Sequence, residues 1–228
     1  MNDRVMLITG ASSGIGAATA RAAAREGFKL VLAARSRNKL EALAQELGPE
    51  NVLTVRCDVT SMDDQQAMVE ETMERFGRLD VVFANAGRGG SPGGFSGADV
   101  EAWRDMILTN VYGVGLTLQA TLPALRASRG HVLLTGSAAG RATIPGSMYS
   151  ATKWAVSGIG YNLREELRGS GIRVTLIEPG MVATPFFDEP PSHALQDRDI
   201  ANAVIYAISQ PPHVDVNEIL VRPTPPPE

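Results

Sequence analysis

Cysteine, histidine and long apolar runs are scarce in this 228-residue sequence, and each scarcity excludes a class of protein. Cys57 is the only cysteine, so the chain cannot form an internal disulfide, which fits a reducing compartment. The three histidines, His131, His193 and His213, lie far apart and lack metal-ligand spacing, so we predict no metal site. No run approaches the ~18 apolar residues of a membrane span, and no signal-peptide pattern is recognisable. We therefore expect a cytoplasmic protein.

An excess of charge of one sign is also missing. Lysine and arginine number 21 against 25 aspartates and glutamates, which gives a formal net charge of -4. This balance offers no electrostatic reason to expect nucleic acid or an anionic membrane as a partner. At this length the chain is most simply one domain with a large core, and we predict a single domain over residues 1–228.

Short β-rich runs alternate with longer helical ones along the chain. The predicted strands span residues 5–9, 28–34, 51–57, 79–84, 131–136, 173–178 and 216–221. Most of these runs are continuously apolar, which is typical of strands buried on both faces of a parallel sheet. The alternation predicts a doubly wound α/β fold of the Rossmann type, with a seven-stranded parallel sheet and helices on both faces.

Capping and composition signals mark one helix and two irregular segments. Thr60 or Ser61 is a suitable N-cap for a helix that Gly77 would end. The glycine-rich segment 87–97 is expected to be a mobile loop, and the proline-rich tail at about 223–228 to be disordered.

The segment TGASSGIG, residues 9–16, lies where the first predicted strand passes into the first helix. Gly10, Gly14 and Gly16 carry no Cβ, so the backbone can turn tightly and approach a bulky anion. The helix that follows presents unpaired N–H groups and the positive end of its dipole. A tight connector is the simpler alternative, but the position between strand and helix favours a pyrophosphate site.

The segment MYSATKWAV, residues 148–156, places Tyr149 four residues before Lys153, so both share one face of a helix. Either side chain could simply cover the helix with its apolar stem. The chemical interpretation is that the ammonium favours the phenolate and so lowers the pKa of Tyr149 from its usual value of about 10.

The chain resembles the short-chain dehydrogenase/reductases along nearly its entire length. Its first glycine motif has their G-x-x-x-G-x-G spacing. Further motifs follow in that family's order: ANAG (84–87), Asn110 within LTNVYG, GSAAG (136–140), Tyr149-Ser-Ala-Thr-Lys153 and EPG (178–180). Each motif is short, but their order and placement together are specific.

The resemblance implies a catalytic set. Tyr149 is expected to be the general acid in reduction and the general base in oxidation, and Lys153 also to hold the nicotinamide ribose. Ser137 is expected to hydrogen-bond the substrate oxygen, and Asn110 to hold a water in a proton relay to Lys153. Taken alone, Ser137 could cap a turn and Asn110 could bond a helix backbone.

Further residues are expected to contact the cofactor. Asp58 resembles the family's adenine contact, Ile15 would offer its backbone N–H to the pyrophosphate, and Asn85 could instead brace the central strands. The expected contacts are Gly10, Ser12, Ser13, Gly14, Ile15, Gly16, Arg35, Ser36, Asp58, Val59, Asn85, Ala86, Gly87, Tyr149, Lys153, Pro179, Gly180 and Thr184.

The end of the second predicted strand bears on the choice of cofactor. A carboxylate there would bond both ribose hydroxyls and repel a 2′-phosphate. This chain has Ala34 at that place, followed by Arg35, Ser36 and Arg37. A guanidinium pairs well with phosphate, so we predict NADP(H) rather than NAD(H), with Arg35 as the main discriminator. The alternative is a solvated arginine pair opening the next helix.

The resemblance implies an NADP(H)-dependent oxidoreductase that interconverts a small carbonyl compound and its alcohol by hydride transfer. A non-catalytic NADP(H)-binding regulatory protein, an acyl-carrier-protein ketoreductase, and an epimerase or dehydratase stay open as alternatives. The C-terminal VNEILVRPT resembles relatives acting on small hydroxy acids or hydroxyamino acids and lacks the D-G-G ending common in ketoreductases. Helices at about 99–127 and 150–169 would pair subunits, so the resemblance also implies a homodimer or homotetramer.

The substrate should be determined by segments 87–97, 138–148 and 181–196, the last of which resembles the family's substrate lid. Phe186 and Phe187 could close over a ligand or lie in the core or a subunit contact.

Three residues of segment 138–148 are candidate substrate contacts. Ile144 and Met148 are candidate apolar walls. Arg141 could meet a substrate carboxylate or, more simply, be a solvated loop residue.

Overall fold

The computed structural model describes residues 3–90, 92–187, 189 and 192–224. The strands are β1 Val5–Thr9, β2 Lys29–Ala34, β3 Val52–Arg56, β4 Val81–Ala84, β5 His131–Thr135, β6 Arg173–Pro179, β7 Val182–Ala183, β8 Leu195–Gln196 and β9 Glu218–Val221. The α-helices are α1 Gly14–Arg25, α2 Arg37–Leu47, α3 Met62–Phe76, α4 Gly94–Gly97, α5 Val100–Ile107, α6 Gly113–Ser128, α7 Met148–Glu166 and α8 Asp197–Ser209. Residues 225–228 of the expected tail lie outside the described residues.

Seven strands form one sheet in the order β3-β2-β1-β4-β5-β6-β9, and every neighbouring pair is parallel. This confirms the predicted seven-stranded parallel sheet. The strand order reverses between β1 and β4, and ligands of such sheets bind in the crevice outside the carboxyl ends at that point. The strand order alone therefore predicts where the functional crevice lies.

Both faces of the sheet are covered, which explains why its strands are apolar without alternation. In β1 the side chains of Met6 and Ile8 join the cluster packed against α1 and α8, while Val5 and Leu7 join the cluster on the opposite face. All four are fully buried. Successive residues of a strand point to opposite faces, so only a continuous apolar run fits a sheet enclosed on both sides.

The predicted ends of α3 are confirmed. The Ser61 hydroxyl accepts a hydrogen bond of 3.2 Å from the Asp64 backbone N–H, so Ser61 rather than Thr60 is the N-cap. Gly77 ends the helix with φ of 70°, a left-handed conformation that glycine adopts without the steric cost of a Cβ.

The long helix predicted at about 99–127 is interrupted. Residues Leu108–Tyr112 form a π-helical turn between α5 and α6, and Asn110 lies within it. Single π turns inside helices are frequent at functional sites. The sequence pattern predicted one helix because it does not show where the hydrogen bonds change from i→i+4 to i→i+5.

The structure also bears on the expectations for the glycine-rich segment and for membrane-spanning helices. The glycine-rich segment contains the short helix α4, and residue 91 lies outside the described residues. Within the part of the chain that the structure describes, no helix has the length and apolar character needed to cross a bilayer.

Candidate active site

A cavity of about 940 Å³ lies at the carboxyl ends of the sheet strands. Its walls include loops that follow β1, β2, β3, β4, β5 and β6, together with α7 and the segment 181–187. With two exceptions, Gly16 and Asn110, every residue expected from the sequence to bind cofactor or to act in catalysis lines this cavity. The residues of the sequence motifs therefore line the crevice that the strand order creates.

The glycine turn after β1 is shaped for a large anion. Gly10 and Gly14 have φ of 66° and 51°, and a Cβ on Gly10 would lie 2.8 Å from the Ala86 Cα. Helix α1 begins at Gly14, and no side-chain cap bond from Ser13 occupies its first N–H groups among the described contacts. Unpaired N–H groups at a helix start suit a pyrophosphate, so the turn fits a dinucleotide.

Gly16 is a packing position. It is not among the residues that line the cavity, and a Cβ on it would lie 2.4 Å from the Gly10 carbonyl oxygen and 2.8 Å from the Asn85 Nδ2. The third glycine of the motif thus permits close packing of helix and turn, and its contact with the cofactor stays a prediction.

Asn85 braces the strands, as the alternative interpretation proposed. Its Nδ2 donates to the Thr9 carbonyl oxygen at 3.1 Å, and its Oδ1 accepts from the Thr135 hydroxyl at 3.2 Å. These bonds join the ends of β1 and β5 across β4. The side chain also lines the cavity, so bracing and ligand contact are compatible.

The end of the cavity beside β2 and β3 carries a positive charge. Arg35 lines the cavity and makes no ion pair within the described residues, whereas Arg37 is held by Glu41 at 2.8 Å. Asp58 lines the same end. Hydrogen bonds from the Thr60 backbone and hydroxyl and the nearby Arg35 charge hold the pKa of Asp58 below its usual value.

Tyr149 and Lys153 are neighbours on α7, as their spacing predicts. The Lys153 Nζ lies 5.7 Å from the centre of the Tyr149 ring and donates a hydrogen bond of 2.7 Å to the Thr135 carbonyl oxygen. Burial lowers the pKa of Lys153 to about 8. Burial also raises the pKa of Tyr149, while a hydrogen bond with Ser137 acts in the opposite direction.

The direction of the Tyr149 pKa shift is a correction to the sequence analysis. The sequence argument considered the neighbouring ammonium and, through the family resemblance, the oxidised nicotinamide, and it expected a lower pKa. It could not include desolvation, which disfavours the charged forms of both side chains and dominates once they are enclosed. Burial is a property of the tertiary structure.

Ser137 connects the tyrosine to the ends of β5 and β6. Its hydroxyl donates to the Pro179 carbonyl oxygen at 3.3 Å, accepts from the Ala139 backbone N–H at 3.1 Å and shares a hydrogen bond with Tyr149. It therefore caps the short 3-10 turn Ala138–Gly140 and faces the tyrosine at the same time. The capping alternative and the catalytic interpretation do not exclude each other.

Asn110 is buried behind the catalytic groups. Its Oδ1 accepts from the Arg88 backbone N–H at 2.8 Å, and its Nδ2 donates to the Arg88 carbonyl oxygen at 2.9 Å and to the Thr152 hydroxyl at 3.1 Å. The amide thus holds the loop after β4 against α7. A role in a proton relay stays a prediction.

The described part of segment 181–196, which the sequence analysis compared with a substrate lid, lies beside Tyr149 at the cavity. Its base is closed by parallel pairing of β7 with β8, and the rings of Phe186 and Tyr149 lie 5.7 Å apart, centre to centre. Phe186 and Phe187 are partly exposed and line the cavity, so neither belongs to the core. Residues 188, 190 and 191 of the lid lie outside the described residues.

Comparison with known proteins identifies the family. A family model described as short chain dehydrogenase matches residues 4–194, which is more than half of the chain. The chain is an oxidoreductase of the short-chain dehydrogenase family. It is 42% identical over 228 residues to an uncharacterized oxidoreductase of Staphylococcus haemolyticus, and the match covers 98% of both chains.

Two solved short-chain dehydrogenase structures illustrate the similarity. An alcohol dehydrogenase from the archaeon Thermococcus sibiricus, complexed with 5-hydroxy-NADP, has a TM-score of 0.91 and 35% identity, with 99% of each chain covered. A 3-ketoacyl-(acyl-carrier-protein) reductase from Brucella melitensis, complexed with NADH, has a TM-score of 0.89 and 29% identity, with 96% of each chain covered. Structures similar to this chain therefore bind either cofactor.

An ion-pair network beside the site of this short-chain dehydrogenase was missed by the sequence analysis. The Arg141 Nε donates to both carboxylate oxygens of Glu178 at 2.8 and 2.9 Å, and the Ser157 hydroxyl donates to the Glu178 Oε1 at 3.2 Å. Arg141 also pairs with Glu218. Arg141 is therefore neither a solvated loop residue nor a cavity-lining cation, contrary to both sequence-based interpretations.

A signal for this network was present in the strand RVTLIE. Glu178 ends that apolar run and is 1% exposed, and a buried carboxylate requires a cationic partner. The sequence did not say which arginine supplies it, because Arg141 and Glu178 come together only when β5 and β6 pair.

Proposed function

We propose that this protein is an NADP(H)-dependent oxidoreductase that interconverts a small carbonyl compound and its alcohol, with Tyr149 as the general acid and base. The observation that carries the proposal is the convergence of Ser137, Tyr149 and Lys153 in the cavity that the glycine turn also lines. Since reduction of a carbonyl group places negative charge on oxygen, the reaction requires a proton donor and a hydrogen-bond donor at that oxygen.

Each residue has a part in the proton chemistry. The bound nicotinamide supplies or accepts the hydride. Tyr149 donates its phenolic proton to the substrate oxygen in reduction, and its phenolate takes the proton back in oxidation. The Ser137 hydroxyl, whose oxygen accepts from the Ala139 N–H, would turn its proton from the Pro179 carbonyl to the same substrate oxygen.

Lys153 supports the tyrosine electrostatically. With a pKa of about 8 the ammonium is charged near neutral pH, and its Nζ is 5.7 Å from the Tyr149 ring centre. A nearby positive charge stabilises the phenolate that forms when the proton is donated. Lys153 also lines the cavity where the nicotinamide ribose would lie, so the same ammonium would bind the ribose hydroxyls.

The charge at the other end of the cavity supports NADP(H). Ala34 ends β2 where a carboxylate would reject a 2′-phosphate, and Arg35 next to it is not engaged in an ion pair with any described residue. Arg37 is committed to Glu41, so Arg35 is the residue that would pair with the phosphate. Pro179, Gly180 and Thr184 would hold the carboxamide end.

The expected assembly stays a prediction. We propose one catalytic domain over residues 1–228 that pairs with further copies through α6 and α7. Leu118, Leu122 and Ile159 line a groove between these helices, and Trp154 on α7 is half-exposed, which supports such pairing.

A non-catalytic NADP(H)-binding regulator is the alternative from another functional class. Such a protein would have no use for the Tyr149–Ser137 hydrogen bond or for a buried lysine beside it. Burying an ammonium costs free energy, and this cost is expected where it serves chemistry. The arrangement therefore favours an enzyme.

Tyr149→Phe tests the proposal. The variant should lose turnover by about 100- to 10,000-fold, since general acid–base catalysis contributes on this scale, and should bind NADPH as the original chain does. Turnover is measured by the loss of reduced-nicotinamide absorbance with a panel of carbonyl compounds, and binding by titration of nucleotide fluorescence. Tyr161→Phe is the matched control, because Tyr161 lies on the same helix but is exposed and outside the cavity.

Two outcomes would contradict the proposal. Full turnover in Tyr149→Phe would remove the tyrosine from the mechanism. Tight NADPH binding without turnover of any compound in the original chain would favour the regulator.

A further inference from the structure

The wall next to the reacting oxygen is aromatic. The Phe186 ring centre lies 5.7 Å from that of Tyr149 and 5.2 Å from that of Phe187, and both phenylalanines line the cavity. Phe186 also reaches across to the loop after β4, since a Cβ on Gly89 would lie 3.4 Å from its ring. A substituent on the substrate carbonyl carbon therefore meets ring carbon on this side.

The segments that shape the substrate end supply no available guanidinium or ammonium group. Segments 87–97, 138–148 and 181–196 contain two such residues in all, Arg88 and Arg141. Arg88 pairs with Asp105 at 2.7 Å, and Arg141 is held by Glu178 and Glu218. Neither arginine is among the residues that line the cavity.

Moving Arg141 away from its carboxylate partners would cost free energy. Glu178 is 1% exposed and receives two hydrogen bonds from the Arg141 Nε, so a rotation of Arg141 toward the cavity would strand a buried carboxylate. The Arg141 charge, which the sequence suggested as a substrate contact, is thus paired with Glu178 inside the fold.

The remaining charges at this end do not enclose a substrate anion. Apart from Arg35 at the dinucleotide end, three described side chains with basic nitrogens line the cavity. Lys153 donates to the Thr135 carbonyl oxygen at 2.7 Å and serves Tyr149 and the nicotinamide ribose in the proposed function. His193 and Arg222 are exposed to solvent, where electrostatic interactions are weak and screened by salt.

Resting on the proposed function, we infer that this site takes neutral carbonyl compounds with an apolar, preferably aryl, substituent, and discriminates against keto acids. A carboxylate beside Phe186 would lose its hydration without gaining a cation. It would also oppose the phenolate that forms on Tyr149 during reduction. The inference runs against the resemblance of VNEILVRPT to relatives acting on small hydroxy acids.

A keto ester and its keto acid form the matched test. Ethyl benzoylformate and benzoylformate share the ketone and the phenyl ring and differ in the charge of the neighbouring group. With the original chain and NADPH, kcat/KM should be about 100-fold higher for the ester, as expected when a charge is desolvated without a partner. Benzoylformamide, which is also neutral, should resemble the ester and controls for the different electron withdrawal of the two groups.

Ile144→Arg supplies the missing cation. Ile144 lines the cavity and is 44% exposed, so the longer side chain has room. The ratio of acid to ester turnover should rise at least about tenfold in Ile144→Arg, the scale of a charge-assisted hydrogen bond, and stay unchanged in the neutral control Ile144→Gln. The intrinsic reactivities of the two compounds cancel in this comparison.

Equal or faster reduction of the keto acid by the original chain would overturn the inference while leaving the proposed function intact. In that case Arg222→Gln and His193→Gln would show which exposed cation binds the carboxylate. Absence of turnover with the ester, the amide and the acid, using NADPH and NADH, is a different result. It contradicts the proposed function itself, and the inference falls with it.

Discussion

The two ends of the cavity are built in different ways. At the dinucleotide end the wall is backbone: the turn containing Gly10 and Gly14 follows β1 directly and is locked against Ala86. At the substrate end the wall is a set of partly exposed side chains, Phe186 and Phe187, on a lid whose base is a pair of two-residue strands.

This difference separates what the family shares from what distinguishes one member from another. A turn fixed by the sheet tolerates little change, because an added Cβ has no space to occupy. A lid carrying exposed side chains can change its chemistry without disturbing the core. Substitutions that impair dinucleotide binding should therefore also lower the unfolding free energy, whereas substitutions that change substrate binding should not.

Among substitutions in the cavity region, the largest effect is expected from Gly16→Ala, which changes the backbone end. The new Cβ would lie 2.4 Å from the Gly10 carbonyl oxygen, so the turn must move. We expect a loss of unfolding free energy of about 3 kcal/mol and much weaker NADPH binding, measured by urea denaturation and by titration.

Gly115→Ala in α6 is the matched control. An ideal Cβ on Gly115 meets no described atom within 4 Å. This variant should gain about 0.5–1 kcal/mol from reduced backbone entropy of the unfolded chain. Unchanged stability of Gly16→Ala would mean that the turn is not closely packed.

Glu178→Gln tests the region between the two ends. The substitution leaves Arg141 without a charged partner at this position and weakens the support under Pro179, to which Ser137 is bonded. We expect a loss of about 2 kcal/mol in unfolding free energy, less than for a fully enclosed pair because the Arg141 side chain is 30% exposed.

An exposed ion pair gives the comparison for Glu178→Gln. Glu165 pairs with Arg168, and both side chains are largely in solvent. Glu165→Gln should change unfolding free energy by no more than about 0.5 kcal/mol. Equal effects of the two substitutions would show that burial of Glu178 adds nothing to its pair.

Arg35→Ala tests the cofactor preference at the dinucleotide end. Loss of the guanidinium should reduce the preference for NADPH over NADH by about 10- to 100-fold, the scale of a lost charge-assisted hydrogen bond. The ratio of kcat/KM values for the two cofactors is the measurement. Arg37→Ala should leave that ratio unchanged because Glu41 already holds Arg37, and an equal drop in both variants would contradict a specific role for Arg35.

The smallest effect on stability is expected at the lid. Phe187→Ala removes a ring that is 36% exposed, so unfolding free energy should change by no more than about 0.5 kcal/mol while KM for an aryl ketone rises several-fold. Phe28→Ala is the contrasting core variant: Phe28 is 5% exposed, and its loss should cost about 3–5 kcal/mol. A destabilised Phe187→Ala would mean that the lid is part of the core.

The sequence predicted the sheet and the motif positions because these depend on local pattern. Most of the strands are continuous apolar runs, and Tyr149 and Lys153 are neighbours simply because they are four residues apart on a helix. The π turn at Leu108–Tyr112 was not predictable in this way, since it is defined by i→i+5 hydrogen bonds and not by a residue pattern.

By itself, the sequence determined the fold, the family and the set of residues that meet at the strand ends. Only the tertiary structure decided the charge environment. It raised the pKa of Tyr149 by burial, turned Gly16 into a packing position and committed Arg141 to Glu178. Hydrophobic periodicity depends only on the order of residues, whereas desolvation and ion pairing depend on which distant residues the folded chain brings together.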